Sequence, residues 1–444
     1  MTAICLTEVT LATFDPVTVE RGAIRIEDGR IVEKGPTVTP KPGDEVLALP
    51  GRVVTPALVV AHHHLYSALA RGMPGPAEPP RTFIEILERV WWVLDRTLGP
   101  ESVELSGLVG LIGALRCGAG AVVDHHASPW FIYGSLDRVA SAFEQTGLRG
   151  VLCYEASDRW GEDHGRQGVE ENLRFARQVA GNEMLAAAIG AHASFTLSDG
   201  TFQAIADAVG QTGTGIHIHV LEDEADRTLS QQRWGQDPIS RLERFGLLDE
   251  RALLAHGVHL SDDEIDRVAK SQAMLLHNPR SNMNNAVGKT PLGKVMTRGV
   301  RLALGTDGID GDVITEVRSA FFRSREEAEP PPFDGAVRML GGGHAILNQC
   351  FGSGFGSLEP GAAADLTLFA YDPPTPLTAE NLAGHVIFGG LGPETVESVM
   401  VAGRFLMQDR TILVLDEQEV LARARKAAAG LWTAMQEMAG QGHG

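Results

Sequence analysis

Residues 53–65 read VVTPALVVAHHHL, an apolar, β-branched run that stops abruptly on three histidines. Such a run reads as a buried strand with a polar tip. The pattern returns seven more times. Apolar runs finish at Asp124 (VVDHHASP, 122–129), Glu155 (VLCYEASDR, 151–159), His192 (AIGAHASF, 188–195), His219 (GIHIHVLED, 215–223), His256 (ALLAHGVHL, 252–260), His277 (MLLHNPRSNMNNAVG, 274–288) and Asp307 (RLALGTDGIDGD, 301–312). Successive ends, starting from His62, lie 62, 31, 37, 27, 37, 21 and 30 residues apart. A (β/α)8 barrel of about 250 residues allows about 31 per unit, so six of the seven gaps fit. The stretches between them include 101–118, 136–147, 169–181 and 261–271, which carry apolar residues at helical spacing. Strands alternating with helices imply a parallel sheet. The fold expected is α/β, a TIM-type (β/α)8 barrel over residues 55–356.

The first gap is twice too long. It holds the Pro/Gly loop GMPGPAEPPR (72–81) and an extra helix, FIEILERVWWVLDRTL (83–98), which together read as a lid over the barrel mouth. Its Trp91 and Trp92 belong either against substrate or between subunits, since so apolar an insertion seldom stays solvated. Both chain ends have a different texture. VTLATF (9–14), AIRIEDGRIVEKG (23–35), ADLTLFAYD (364–372) and VESVMVAGRFLMQD (396–409) are short strands broken by turns, with a hairpin signal at Glu27–Arg30. Residues 1–54 and 357–415 are therefore expected to form a small discontinuous β-sandwich domain, and 416–444 a C-terminal helix.

Composition narrows the function classes. Lys plus Arg number 38 against 57 Asp plus Glu, a net charge of −19, which repels nucleic acid and anionic membranes. No apolar run approaches the roughly 20 residues needed to span a bilayer, and the N-terminus lacks a basic, then apolar, leader. The four cysteines are scattered with no CxxC, the usage of a reducing compartment. A cytoplasmic enzyme, a homo-oligomer of two or more chains, is the expectation.

In this fold the C-terminal strand ends build the active site. His62 and His64, two apart on a strand, share a face and can reach one metal, while His63 faces the helices. His219 ends strand five, and Glu222 follows on the loop, where it can move protons of water whose pKa a bound zinc lowers to about 7. His217 reads as a satisfied interior histidine. His256 is placed to polarise the reacting edge, and Asp307 completes a His₃Asp set and can help deprotonate water. His277 and Asn278 head an Asn-rich loop that suits a polar heterocycle, or plain turn chemistry. No lysine lies in LAAAIGAHASFTLS (185–198), where a bridging carbamylated lysine would stand, so one metal is expected. His192 is left to line the pocket.

Taken together, HxH (62–64), HxxE (219–222), His256, HNPxSN (277–282) and GTDG (305–308) resemble the amidohydrolase superfamily. The branch they resemble holds the mononuclear-metal aminohydrolases, among them guanine, adenosine-like and triazine deaminases and chlorohydrolases. GSLEPGAAADLTLF (356–369) resembles that family's return into its small end domain. TPAL (55–58) departs from the family's usual Pro-Gly, at a turn rather than at a ligand. The resemblance implies His62, His64, His219 and Asp307 as ligands of one divalent metal, zinc first and iron as the alternative. It implies Glu222, His256 and Asp307 as catalytic residues, and His192, His277, Asn278, His125 and Trp91 as substrate contacts. The reaction implied is hydrolytic deamination of an amino-substituted N-heterocycle, a small-molecule substrate. Hydrolysis of another C–N bond or of a C–Cl bond at the same site is the alternative.

Overall fold

A computed structural model describes residues 2–440, so Met1 and residues 441–444 of the expected terminal segments lie outside the described residues. Eight stretches of parallel strand carry the centre of the chain: β1 (Leu58–His63), β2 (Ala119–His126), β3 (Arg149–Tyr154), β4 (Ile189–Ala193), β5 (Ile216–Val220), β6 (Leu253–His256), β7 (Met274–His277) and β8 (Arg301–Leu304). Every one of the eight expected polar ends falls inside its strand or within three residues of its end. β1, β2 and β3 pair side by side with the short strand Leu185–Ala187, and β4 to β8 form a second parallel sheet. Isolated parallel bridges link the two sheets, Ala156 with Ala191 on one side and His63 with Asp307 on the other. Helices follow the strands, among them Pro100–Arg116, Ser135–Thr146, Glu162–Gln178 and Asp262–Ser271.

One face of the strands is lined by small and branched residues: Val59, Ala61, Ala121, Val123, Leu253 and Ala303 pack together there, closed off by Ile346 and Leu347 of helix Gly335–Phe351. Their other face packs on the helices, as with Leu58 and Val60 against Leu108 and Leu111. Strands covered on both faces explain why the sequence shows unbroken apolar runs rather than alternation.

Among the described residues, the two chain ends build one nine-stranded sheet. Its hinge is the pairing of Arg52–Pro56 with Leu366–Ala370, antiparallel, so the chain enters and leaves the central strands side by side. The expected hairpin at Glu27–Arg30 is present, with Asp28 and Gly29 at φ of 49° and 76°, the primed turn that matches strand twist.

The long first connection folds as Phe83–Ile86, a π-helical turn Leu87–Trp91 and helix Trp92–Thr97. Behind it lies the terminal helix Glu417–Gly440, packed on Trp92–Thr97 and Pro100–Arg116. Trp432 Nε1 donates to the Leu69 carbonyl at 2.8 Å, and Arg116 pairs with Glu417. No single described helix is long and apolar enough to cross a membrane.

Candidate active site

The first pair of histidines owes its aim to an irregularity. β1 and β2 slip register between Val60 and His63. Ahead of the slip Val59 and Ala61 share the inner cluster; beyond it His62 and His64 turn inward. His63 turns out, with Nδ1 2.9 Å from Thr306 Oγ1. An extra residue in a strand re-aims side chains in this way.

Inside, the protons can be assigned from the partners. His64 Nδ1 is 2.7 Å from the His125 carbonyl and His219 Nδ1 is 2.8 Å from the His192 carbonyl. A carbonyl only accepts, so both Nδ1 atoms carry hydrogen, and each neutral ring presents its Nε2 as the lone pair. The two Nε2 atoms face each other at 3.2 Å. His62 Nε2 is buried with no partner, while its Nδ1 is held 2.9 Å from His217 Nε2. Asp307 Oδ1 lies 3.1 Å from His64 Nε2 and 3.9 Å from His62 Nε2. Three imidazole nitrogens and a carboxylate converging at one buried point need a cation, a metal ion or a proton, at their focus. The donor set fits a zinc-like divalent ion.

The same focus attracts protons. Burial pulls His64 down, but the hydrogen bond and charge of Asp307 overcome it and push its pKa up to about 9. Burial pushes the Asp307 carboxyl up, and His64 reverses this and holds it well below the usual carboxylate range. Burial and then neighbouring imidazoles keep His62 and His219 well below the ordinary histidine value.

A second group overlaps the first: Glu222, His256 and Asp307 offer atoms within 4.8 Å of one another. His256 Nε2 lies 3.6 Å from Glu222 Oε2 and 3.9 Å from Asp307 Oδ2. Three residues that aim this group have left-handed backbone, Leu221, His256 and Asp307 at φ of 49°, 76° and 54°, a conformation costing side-chain-bearing residues of order 1 kcal/mol or more each. Gly305 lets β8 approach β1: a Cβ there would fall 2.2 Å from Asn278 Oδ1 and 2.9 Å from the His62 carbonyl oxygen. Gly305→Ala is expected to cost on the order of 1–3 kcal/mol and to weaken metal retention. An unchanged melting temperature in a thermal scan would refute that packing.

A cavity opens above these groups. His64, His219, Glu222 and Asp307 form its floor, and Trp91 and Trp92 of the first connection form its roof together with Phe83 and Leu87. Both tryptophans thus line the cavity. His192 and Phe195 stand at the side. Thr196 Oγ1 donates to the Ala193 carbonyl, so it accepts His192 Nδ1–H at 2.9 Å, and His192 Nε2 is left as an acceptor. Burial, then the charge of Arg159, pulls the His192 pKa to about 3 and keeps the ring neutral.

Three expected contacts are at strand ends but do not line this cavity. His125 spends Nε2 on the carbonyls of Ala191 and His217, at 3.1 and 3.2 Å, and sets Nδ1 3.3 Å from Glu155. His277 faces a separate small pocket beside Pro279 and Asn282. Asn278 is fully buried, its Nδ2 donating to the Leu276 carbonyl. Asn285 of the Asn-rich loop lines it, as do three residues that the sequence did not single out, Tyr66, Asp95 and Phe195. Asp95 had one visible signal, a carboxylate on the buried side of the apolar run WWVLD.

The sequence profile of the amidohydrolase family matches residues 53–406. The chain belongs to the amidohydrolase family. This amidohydrolase is 31% identical to a 5'-deoxyadenosine deaminase of Methanosarcina mazei, over 97% of its own length and 99% of the relative's. It is 30% identical to a 5-methylthioadenosine/S-adenosylhomocysteine deaminase of Desulforudis audaxviator, over 92% and 95%. Among solved structures, an adenosine deaminase from Xanthomonas campestris with bound zinc superposes at a TM-score of 0.84, with 24% identity, over 97% of this amidohydrolase and 98% of that chain. Atrazine chlorohydrolase from Arthrobacter aurescens, complexed with zinc, superposes at 0.81 with 21% identity, over 96% and 100%.

Proposed function

We propose that this amidohydrolase removes the exocyclic amine of an adenosine-like N-heterocycle by hydrolysis, exchanging C–NH₂ for C=O and releasing ammonia. The observation that carries the reading is the pair of Nε2 atoms of His64 and His219, set 3.2 Å apart beside Asp307, with Glu222 and His256 at the same focus. The deaminases to which the chain is similar over nearly its whole length support it. The assignment supposes that the parallel strands close into a (β/α)8 barrel over residues 55–356. It further takes 1–54 with 357–415 as a β-sandwich domain and 416–444 as a closing helix.

His62, His64, His219 and Asp307 would hold one divalent ion, zinc in preference to iron, and that ion would supply the activation of water. Glu222 carries a proton from that water to a ring nitrogen and returns one to the leaving amine. His256 Nε2, directed at the same point, accepts or shares a hydrogen bond there. His192 offers its Nε2 acceptor to the ring's edge, and Trp91 and Trp92 cover the ring and exclude solvent. Incubating the zinc- or iron-loaded protein with 5'-deoxyadenosine, methylthioadenosine, guanine and aminotriazines should release ammonia from at least one. Silence across the whole set would overturn the reading.

Charge makes a finer expectation. Among the described residues Arg159 is the only lysine or arginine lining the cavity, and it is spent: it hydrogen-bonds Glu155 and its Nη1 lies 3.7 Å from Asp95 Oδ2. Arg280 is equally engaged, with Glu316 and Asp310. Among the described residues no unpaired lysine or arginine lines the cavity, so uncharged nucleosides should exceed their monophosphates, and carboxylate-bearing analogues, by tenfold or more in kcat/KM. A monophosphate that wins by tenfold would show an anion site at Arg159.

A further inference from the structure

The helix Pro279–Asn284, continued by Asn285, has six residues and no side-chain cap, yet it touches each member of the second group. Ser281 Oγ hydrogen-bonds Asp307 Oδ2. Asn282 Oδ1 lies 2.8 Å from His256 Nδ1. Asn285 Nδ2 donates to Glu222 Oε1 at 3.1 Å. Three side chains within five residues thus hold groups delivered by β6, by the loop after β5 and by the loop after β8.

Each contact has a chemical consequence. An amide oxygen at His256 Nδ1 fixes hydrogen on that nitrogen and turns Nε2, buried with no partner, between Glu222 and Asp307. A hydroxyl donating to Asp307 Oδ2 occupies one carboxylate oxygen and turns the other, Oδ1, to the histidines. An amide donor on Glu222 Oε1 directs Oε2 at His256. The helix itself is fastened from behind. Arg280 Nε is 2.7 Å from the buried carboxylate of Glu316, and its Nη1 is 2.9 Å from Asp310. Neither Ser281 nor Asn282 lines the cavity, so both act through the groups they hold.

We propose, on the function reading above, that this helix is a positioning element with two separable tasks: Ser281 orients Asp307 toward the metal, while Asn282 and Asn285 orient His256 and Glu222 for proton transfer. The alternative, a helix that merely supports the loop, predicts that substitutions at all three positions lower every property together.

The test uses the full-length, zinc-loaded protein with Ser281→Ala, Asn282→Ala and Asn285→Ala. Zinc retention against a chelator needs no substrate. Ser281→Ala should weaken it about 10- to 100-fold, the span seen for outer partners of ligands, and Ser281→Thr should restore most of it. The two asparagine variants should hold zinc as the parent does. Their kcat should fall about 10- to 100-fold with KM within about twofold, on whichever amino-heterocycle the parent accepts. Nitrogen-15 chemical shifts of the imidazoles should show His256 losing its single Nδ1–H tautomer in Asn282→Ala but not in Asn285→Ala. Equal loss of zinc by all three variants overturns the proposal, as does an intact His256 tautomer in Asn282→Ala. Should the parent release no ammonia from any amino-heterocycle, the function reading falls, and the zinc and tautomer measurements still decide this one.

Discussion

Glu222→Gln is expected to lose at least about 10²-fold in kcat, the scale of a lost general acid–base group, while keeping its metal and its melting temperature. Glutamine has nearly the same shape, and its Oε1 still accepts from Asn285, which holds Glu222 Oε1 at 3.1 Å. What it lacks is a removable proton. Burial pushes the Glu222 carboxyl pKa up; His256 opposes this and Asp307 reinforces it, so the group stays closer to proton exchange at neutral pH than an exposed glutamate. Single-turnover measurements with any accepted substrate, alongside metal analysis, separate the chemical step from binding. Near-parental kcat in this variant would remove Glu222 from the role of proton carrier.

His219→Ala and Asp307→Ala should each lose most of the bound ion, and activity with it. Retention should weaken by more than the 10- to 100-fold typical of outer partners, since a bond to the ion itself is lost. His219 brings an Nε2 already fixed as a lone pair by the His192 carbonyl, and Asp307 brings the only carboxylate within 3.1 Å of His64 Nε2 among the described residues. Stripping the parent with a chelator should abolish turnover, and zinc or iron should restore it. Metal analysis should return one ion per chain; two would require ligands beyond these four, and unchanged content in His219→Ala would show the assignment to be wrong.

The strand ends were legible because a buried strand covered on both faces permits polar atoms only where the chain emerges. His62, His192, His219, His256 and His277 each close an apolar run, and the structure keeps them there. Position along a strand, however, says nothing about what the adjacent strands offer. His125 reaches the same level, yet carbonyls of Ala191 and His217 from two other strands take its Nε2. The register slip that turns His62 and His64 inward leaves no mark in VVAHHHL. The alternation rule reached the right pair because it was counted from His62 itself. Helix Glu162–Gln178 begins earlier than the apolar spacing from 169 suggests, since its first turns are mostly exposed and carry two glycines. Gly165 and Gly168 allow close approach to Asp158 and Tyr154. Asp95 belongs to the roof, an element whose placement depends on tertiary packing rather than local pattern.

Left-handed backbone at Leu221, His256 and Asp307 bears on how this protein would respond to selection. Variation at 256 or 307 toward glycine releases conformational strain, so screening libraries for heat tolerance alone would enrich robust proteins that have surrendered their chemistry. Breeding new specificity should therefore leave these positions untouched and diversify Phe83, Leu87, Trp91 and Trp92 of the roof, whose backbone is helical. Robustness and turnover can then be sought in different parts of the chain.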